Sequence, residues 1–570
     1  MIHNRSILAV LVLSLCVVGL AQEPLTERKA AEQPVTGTID GKVVNESGQP
    51  LAGAMVIVRM INSAILNRST TSDVDGNFRM NGLETGLYLV TANIPAYTTV
   101  PGDPENPKYY RIGDTARVEM VRGGVITGAV NNSTGEPVIA VRVRATMIRD
   151  ANGKALRSPI VGGFEQPTDD RGIYRIYGLA PGTYIVSAGG GGFVTNFNPY
   201  ETDVPTFAPS STRDTAAEVN IRGGDDVAVD IRYRGEPGHS VSGTVKTGIS
   251  TNVSLFLAKP GSNNAVATAL QIPAMRGFVF NGISDGDYDL VAQESAANPG
   301  TLSIVMAFSE PKRITVKGAD IAGIEVVTKP MGSISGKILI ESSKAPECEG
   351  KRPPLLAETL VRLRRPEKEL ETDPMALRFI GNSGSPDAGG AFSLRNLPAG
   401  RYQFEPRFYA RYWYLQSITM NSAAPKPQRI DAAANWTTLK SGEQLSNLAI
   451  TLAGGAASIR GAVLVKEGET LPAGMVVYLI PNEKDKVEDV LRHFVTDIAA
   501  DGTFTFNSVP PGRYFALTQT NVETQIATLA RLRQPEAASS RAKLRRLAET
   551  KKSELELKPC QNLTDYQLKQ

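Results

Sequence analysis

The chain has 570 residues, too many for one hydrophobic core, and this length predicts four or five domains. It contains 53 glycines and 36 prolines, a composition typical of turn-rich β folds. Its 61 basic and 58 acidic residues leave a formal net charge of +3 that is spread along the chain. A nucleic-acid partner would require a concentrated basic face, so we expect none.

The first residues have the pattern of a secretory signal peptide. Arg5 precedes an apolar run from Ile7 to Leu20, and the small residue Ala21 comes just before Gln22. The run is too short for a membrane anchor and predicts a signal peptide over residues 1–21. No later segment is apolar over the roughly 18 residues needed to cross a bilayer. The mature chain is therefore expected to have no membrane span and to be secreted or periplasmic.

Two cysteines, Cys348 and Cys560, remain after signal cleavage. Export to an oxidising compartment would allow a disulfide, and two cysteines permit only one internal pairing. Such a bond would close a loop of about 210 residues and stabilise the fold by roughly 5 kcal/mol in the chain-entropy model. The sequence leaves open whether the two sulfur atoms meet.

One motif occurs five times along the chain. Its first copy runs from Asp75-Gly76-Asn77-Phe78 to Gly86-Leu87-Tyr88, and in every copy a tyrosine follows the second glycine by two residues. Glycine permits a positive φ at a sharp corner, and the tyrosine hydroxyl can bond a backbone group upstream. This combination predicts the tyrosine corner of immunoglobulin-like sandwiches and a structural role for all five tyrosines. They are Tyr88, Tyr184, Tyr288, Tyr402 and Tyr514.

Each copy of the motif lies within a unit of short alternating strands. The units open with an apolar strand that has a central glycine, as in Ile39–Val43 and Ile126–Val130, and they end with a further pair of strands. About seven short strands per unit, with turns every 8 to 12 residues, predict an all-β tandem array of antiparallel β-sandwiches. A polar, disordered leader over 22–35 is expected before them. The predicted units one to five span 36–122, 123–235, 236–330, 331–454 and 455–570.

Unit five departs from the pattern in a stretch over about 522–552. This stretch is rich in Ala, Leu, Arg, Glu and Lys, and Leu544, Leu547 and Ala548 fall at helical spacing. It predicts short helices inserted in a loop. The basic run from Arg541 to Arg546 is more typical of a solvated helix face than of a binding patch.

Residues that would carry catalysis or bind metal are few. Only His239 and His493 remain after signal cleavage, and neither lies in a zinc motif. The segment Asp73-Val74-Asp75-Gly76-Asn77 resembles the start of a calcium loop but lacks the closing glutamate, which favours a β-turn. We therefore expect no catalytic residue, no metal site and no cofactor.

Aromatic residues are concentrated between Arg407 and Leu415. If this segment is a strand, Tyr409, Arg411 and Trp413 lie on one face. They are then a candidate exposed platform that could stack on sugar rings. Packing in the core or between domains is the favoured alternative.

The residues of the first unit resemble a known family. The opening Ile39-Asp40-Gly41-Lys42-Val43, the turn Gly48-Gln49-Pro50-Leu51 and the first copy of the repeated motif resemble carboxypeptidase regulatory-like domains. The resemblance is good in units one and two, fair in units four and five, and loose in unit three, which lacks the Gly-x-Pro turn. It implies transthyretin-like, or prealbumin-like, seven-stranded sandwiches. In that family the domain accompanies metallocarboxypeptidases, outer-membrane receptors and adhesins, and related folds bind starch.

The resemblance does not imply peptidase activity, because the zinc residues of the peptidase are missing. Our leading interpretation is an exported, non-enzymatic array of β-sandwiches that acts as a scaffold, spacer or binding protein at the bacterial cell envelope. An envelope protein or a glycan would be its partner. The alternative is a carbohydrate-binding protein that uses the exposed aromatics and the inter-strand loops. An orphan hydrolase would depend on His239, on His493 or on added metal.

Overall fold

The computed structural model describes residues 36–569 except 62–66, 100–106, 157–164, 191–198, 249–251, 262–264, 271–276, 297–303, 373–382, 422–428, 465–470, 473, 521–527 and 552. The predicted signal peptide and leader lie outside the described residues. The fold is all-β, as the sequence predicts, with few helices. In the described part of the chain, no helix has the length and apolar character needed to cross a bilayer.

Unit one is built from two facing sheets. Their strand orders are β4-β1-β7-β6 and β3-β2-β5. Inward residues such as Ile39, Val56 and Tyr88 form one buried cluster between them, which is why apolar residues alternate along the strands. The strands are β1 (Thr36–Asn45), β2 (Met55–Met60), β3 (Asn67–Thr71), β4 (Asn77–Glu84), β5 (Tyr88–Asn93), β6 (Tyr97–Thr99) and β7 (Thr115–Arg122).

Unit two repeats this arrangement with additional short strands. One sheet has the order β10-β9-β12-β13, with β14 also on β12, and the other has the order β11-β8-β15, with β16 also on β8. Ile126, Ile176 and Tyr184 lie in the buried cluster between them. The strands are β8 (Gly124–Asn131), β9 (Arg142–Asp150), β10 (Glu165–Pro167), β11 (Ile173–Leu179), β12 (Gly182–Ala188), β13 (Thr206–Phe207), β14 (Val219–Ile221), β15 (Asp226–Ala228) and β16 (Ile231–Arg232).

Unit three differs because its strands form one continuous hydrogen-bonded sheet, β19-β18-β21-β22-β24-β17-β20, with β23 on β21. Strand β22 pairs with both β21 and β24 and so joins the two layers. The strands are β17 (His239–Lys246), β18 (Asn252–Ala258), β19 (Ala265–Leu270), β20 (Gly277–Ile283), β21 (Gly286–Ala296), β22 (Ile304–Ser309), β23 (Lys312–Val316) and β24 (Ile321–Pro330).

Unit four again has two sheets, in the orders β28-β25-β33-β30-β31 and β27-β26-β29-β32. A short helix, α1 (Glu367–Thr372), follows β26 and was not predicted. The strands are β25 (Gly332–Glu341), β26 (Leu360–Arg364), β27 (Ser383–Gly384), β28 (Ala391–Leu397), β29 (Gly400–Arg407), β30 (Trp413–Asn421), β31 (Arg429–Asp431), β32 (Thr437–Leu439) and β33 (Gln444–Gly454).

Unit five has sheets in the orders β37-β34-β40 and β36-β35-β38-β39. The described part of its insertion includes the helices α2 (Leu529–Leu532) and α3 (Ala538–Lys551). The strands are β34 (Ala457–Leu464), β35 (Met475–Pro481), β36 (Phe494–Asp497), β37 (Thr503–Val509), β38 (Gly512–Thr520), β39 (Glu554–Leu557) and β40 (Asn562–Lys569).

Helix α3 packs on the outer face of the β35–β38 sheet. Leu544 and Ala548 are buried there against Tyr478 and Leu517. Arg541 of the basic run donates hydrogen bonds to the carbonyl oxygens of Leu532 and Gln534, and Arg545 Nη1 donates to Pro481 O at 2.6 Å. These two arginines therefore anchor the helix, whereas a solvated helix face was expected.

Among the described strands, each unit differs from the expected antiparallel sandwich in the pairing of its first strand. The first strand of the unit runs parallel to its last strand, as β1 does to β7 and β34 does to β40. The same holds for β8 with β15 and β16, β17 with β24, and β25 with β33. A parallel pair needs a long crossover connection, and here the remaining strands of the unit provide it.

Candidate functional site

The five tyrosines of the repeated motif share one geometry. Each is buried, and each hydroxyl donates a hydrogen bond to the backbone carbonyl oxygen four residues upstream. The oxygen–oxygen distances run from 2.6 Å at Tyr402 to 2.9 Å at Tyr514. Burial raises the pKa of Tyr88 to about 12, so the phenol keeps its proton at neutral pH. The geometry gives each phenol a structural role in its corner.

A second repeated feature of the corner was missed in the sequence. The residue four positions before the second glycine has a left-handed backbone in every unit, with φ between 56° and 76°. The strand pairing shifts register at the same place. A bulge of this kind favours glycine or asparagine, and that composition was the available signal. The residues are Gly82, Gly178, Gly282, Asn396 and Ser508.

The substitution Tyr184→Phe tests the corner. It removes the hydrogen bond to Ala180 O, 2.7 Å long, and keeps the buried ring. We expect the free energy of unfolding of unit two to fall by about 1 kcal/mol, the net value of one hydrogen bond. Urea unfolding of the full chain measures it, and Tyr177→Phe, at a tyrosine that is 68% exposed, is the matched control. Equal stability of the wild type and all five corner variants would contradict the assignment.

The aromatic segment is not the single strand that the platform requires. Residues 408–412 lie outside any strand, and β30 begins only at Trp413. Trp413 is 4% exposed and belongs to the core of unit four, whereas Arg411 is exposed. The platform of Tyr409, Arg411 and Trp413 is therefore wrong as one open surface, because the chain turns within it.

The other residues of the segment contact neighbouring units. The Tyr409 ring is covered by the guanidinium of Arg111 from unit one, 4.8 Å from the ring centroid. Arg411 Nη2 donates to Asn562 Oδ1 of unit five at 2.8 Å. Both side chains thus pack between units, which was the favoured alternative.

Cys348 and Cys560 form a disulfide between units four and five, across 212 positions of sequence. The bond lies beside a cavity of about 240 Å³. Its lining includes both cysteines, Tyr412, Trp413 and Lys351, and the Lys351 Nζ atom lies 4.7 Å from the centroid of the Tyr412 ring. The aromatic segment and the two cysteines therefore meet at one junction.

Further contacts hold the same two units together. Val490 and Leu491 of unit five are buried in the hydrophobic cluster of unit four. The indole of Trp436 donates from Nε1 to Glu536 Oε1 at 2.8 Å, and Arg531 pairs with Glu367. Units four and five are thus joined by apolar, polar and covalent contacts.

The two histidines occupy unrelated surroundings. His239 Nε2 lies 3.2 Å from Asp285 Oδ1 in a partly exposed pair. His493 is 2% exposed, and its Nδ1 lies 3.0 Å from the carbonyl oxygen of Asp489. Among the described residues, no group of three or more His, Cys, Asp or Glu side chains is arranged to hold a metal ion.

Burial lowers the pKa of His493 to about 4, and the nearby Arg541, Arg533 and Arg545 act in the same direction. An unfolded histidine has a pKa near 6.5, so between these values the unfolded chain binds the extra proton. Stability should therefore be complete above pH 6.5 and fall by about 2 to 3 kcal/mol as the pH drops towards 4. Urea unfolding at several pH values measures the slope. The slope should be shallower in His493→Gln; equal slopes in the wild type and His493→Gln would refute the assignment.

The calcium-like segment is a side-chain-stabilised turn. Asp73 Oδ1 accepts hydrogen bonds from the backbone N–H groups of Asp75 and Asn77 at 3.0 and 2.8 Å. Asp169 and Asp387 make the same pair of contacts in units two and four. The carboxylate that would bind calcium instead satisfies the turn.

Residues 38–103 match the model of the carboxypeptidase regulatory-like domain. This unit is similar to that family. The match includes the opening strand, the glycine-proline turn and the first tyrosine corner, which are the residues that carried the resemblance. No curated protein matches the chain.

Several solved structures are similar to parts of the chain. The minor pilin GBS52 of Streptococcus agalactiae is 14% identical over 35% of this chain and 96% of its own, with a TM-score of 0.19. The major pilin subunit BcpA of Bacillus cereus is 10% identical over 51% and 99%, with a TM-score of 0.15. The Bacillus anthracis TIE protein is 13% identical over 51% of this chain and half of its own, with a TM-score of 0.14. With sequence identities and TM-scores this low, these similarities give no information about the function of the chain.

Proposed function

We propose that the chain is an exported, non-enzymatic scaffold or binding protein of the bacterial cell envelope, with domains at 36–122, 123–235, 236–330, 331–454 and 455–570. The observation that carries the proposal is the repeated corner. In each unit the repeated tyrosine donates a hydrogen bond to the backbone, so the motif that recurs along the chain stabilises the fold. An array of such units offers length and surface for partners.

The disulfide supports export. Disulfides persist in the periplasm and outside the cell and are rare in the cytosol. Cys348 and Cys560 are bonded here, and the signal-peptide pattern of residues 1–21 predicts export to an oxidising compartment. The secreted or periplasmic location rests on these two features together.

Carbohydrate binding by Tyr409, Arg411 and Trp413 is not favoured. A sugar platform needs an open aromatic face, but Trp413 is buried and Arg111 covers the Tyr409 ring. An envelope protein is therefore the partner that we propose in preference to a glycan.

Fractionation of cells that produce the full chain tests the location. We expect the protein outside the cytoplasm, shortened after Ala21, with Cys348 and Cys560 unreactive towards a thiol label until reduced. The control lacks residues 2–21 and should stay in the cytoplasm with both thiols free. A full-length wild type found in the cytoplasm with free thiols would overturn the proposal.

Binding to isolated cell envelopes tests the scaffold role. The purified mature chain should sediment with the envelopes, and protease treatment of the envelopes beforehand should abolish this. Binding that survives protease but is lost after glycosidase treatment would restore the glycan alternative, and no binding would contradict both. A hydrolase activity that disappears in His239→Ala or His493→Ala would contradict the non-enzymatic assignment.

A further inference from the structure

The segment 342–355, here called the junction loop, leaves β25 and covers the start of β30. The carbonyl oxygen of Arg352 accepts a hydrogen bond from Trp413 Nε1 at 3.1 Å. Its neighbour Lys351 places its ammonium group over the Tyr412 ring. The loop thus provides one side of the enclosure around Trp413.

The loop has few apolar anchors of its own. From Lys344 to Pro353 its side chains are exposed or half-buried. Several of its backbone hydrogen bonds are local, such as Cys348 N to Ala345 O at 3.0 Å and Lys351 N to Cys348 O at 3.3 Å. Segments with few buried apolar contacts open at low cost in free energy. The bond from Cys348 to Cys560 therefore carries much of the attachment of the loop to unit five.

The disulfide is placed where a small thiol can approach it. Both cysteines line the 240 Å³ cavity, which also borders Glu349 and Gly455. Cys348 is half-buried, whereas Cys560 is 9% exposed. The sulfur of Cys348 is consequently the better target for an incoming thiolate.

We propose that the Cys348–Cys560 disulfide is a redox latch that holds the junction loop over Trp413. A dithiol reductant opens it: one thiolate attacks the Cys348 sulfur, breaks the sulfur–sulfur bond and forms a mixed disulfide, and Cys560 leaves as a thiolate. The second thiol of the reductant then displaces Cys348. The cysteines gain two electrons and two protons, and the reductant leaves as its own disulfide. The freed loop swings away and exposes Tyr412 and Trp413 at the junction.

Fluorescence quenching of the full mature chain tests the latch. The chain has two tryptophans, so Trp436→Phe leaves Trp413 as the sole fluorophore. Reduction by dithiothreitol should raise its acrylamide quenching constant by about threefold or more, because an almost fully buried indole becomes open to solvent. On the same background, Cys348→Ala with Cys560→Ala should show the high constant without reductant and no response to it.

Two results would overturn the latch. One is an unchanged quenching constant after thiol labelling has shown complete reduction, which would make the bond a static cross-link. The other comes from the matched variant Trp413→Phe, in which Trp436 is the sole reporter. The acrylamide quenching constant of Trp436 in this variant should not respond to reduction. A rise in that constant, with loss of the circular dichroism of the strands, would show general unfolding of the junction.

Discussion

Replacing Cys348 and Cys560 together by alanine is expected to lower the free energy of unfolding of the joined units four and five by about 5 kcal/mol. The bond closes a loop of 212 residues, and a loop of this length removes much conformational freedom from the unfolded chain. Tryptophan fluorescence during urea unfolding measures the change, because Trp413 and Trp436 both lie in unit four.

Reduced wild-type protein should reproduce the stability of the double variant, since both lack the same cross-link. Glu349→Gln, next to Cys348 on the exposed side of the loop, is the control and should leave the urea midpoint unchanged. A double variant within 1 kcal/mol of the oxidised wild type would contradict the prediction.

Gly243→Ala is expected to destabilise unit three by about 3 kcal/mol or more, the upper range for overfilling a packed site. A Cβ at Gly243 would lie closer to the carbonyl oxygen of Ile324 on β24 than Cβ atoms in proteins lie to any such neighbour. The obstacle is backbone in the middle of a sheet, so it cannot turn aside as a flexible side chain would. Differential scanning calorimetry of the full chain measures the loss.

Gly248→Ala is the matched control. Gly248 lies two residues beyond the same strand, and a Cβ there would have nothing within 4 Å. It should change the transition of unit three little. Equal transitions for the two variants would show that β24 can shift, and would contradict the close approach of the two backbones.

The same close approach explains the glycine at the centre of every opening strand. At four of these positions a Cβ would meet a carbonyl oxygen of the parallel last strand of the unit, and at Gly128 it would meet that of Val229, between β15 and β16. The spacing was visible in the sequence, but its cause was not, because the partner strand lies some 75 to 115 positions later. The glycines are Gly41, Gly128, Gly243, Gly336 and Gly461.

The exposure of the aromatic side chains could not be predicted from the sequence. Alternation predicts shared faces only if the backbone is extended throughout, and a turn before Trp413 breaks that condition. Whether an aromatic ring is exposed also depends on what packs over it. For Tyr409 the cover is Arg111, almost 300 positions earlier in the chain.

By itself the sequence determined the all-β fold, the repeated corner with its five tyrosines and the helical insertion of unit five. These features follow from local patterns, namely alternation, turn residues and helical spacing. Each pattern extends over a few residues and can therefore be recognised in a short stretch of the sequence. Only the tertiary structure decided the parallel pairing of first and last strands, the burial of Trp413 and the meeting of Cys348 with Cys560. Each of these joins residues far apart in the chain, and long-range packing leaves no periodic trace in the sequence.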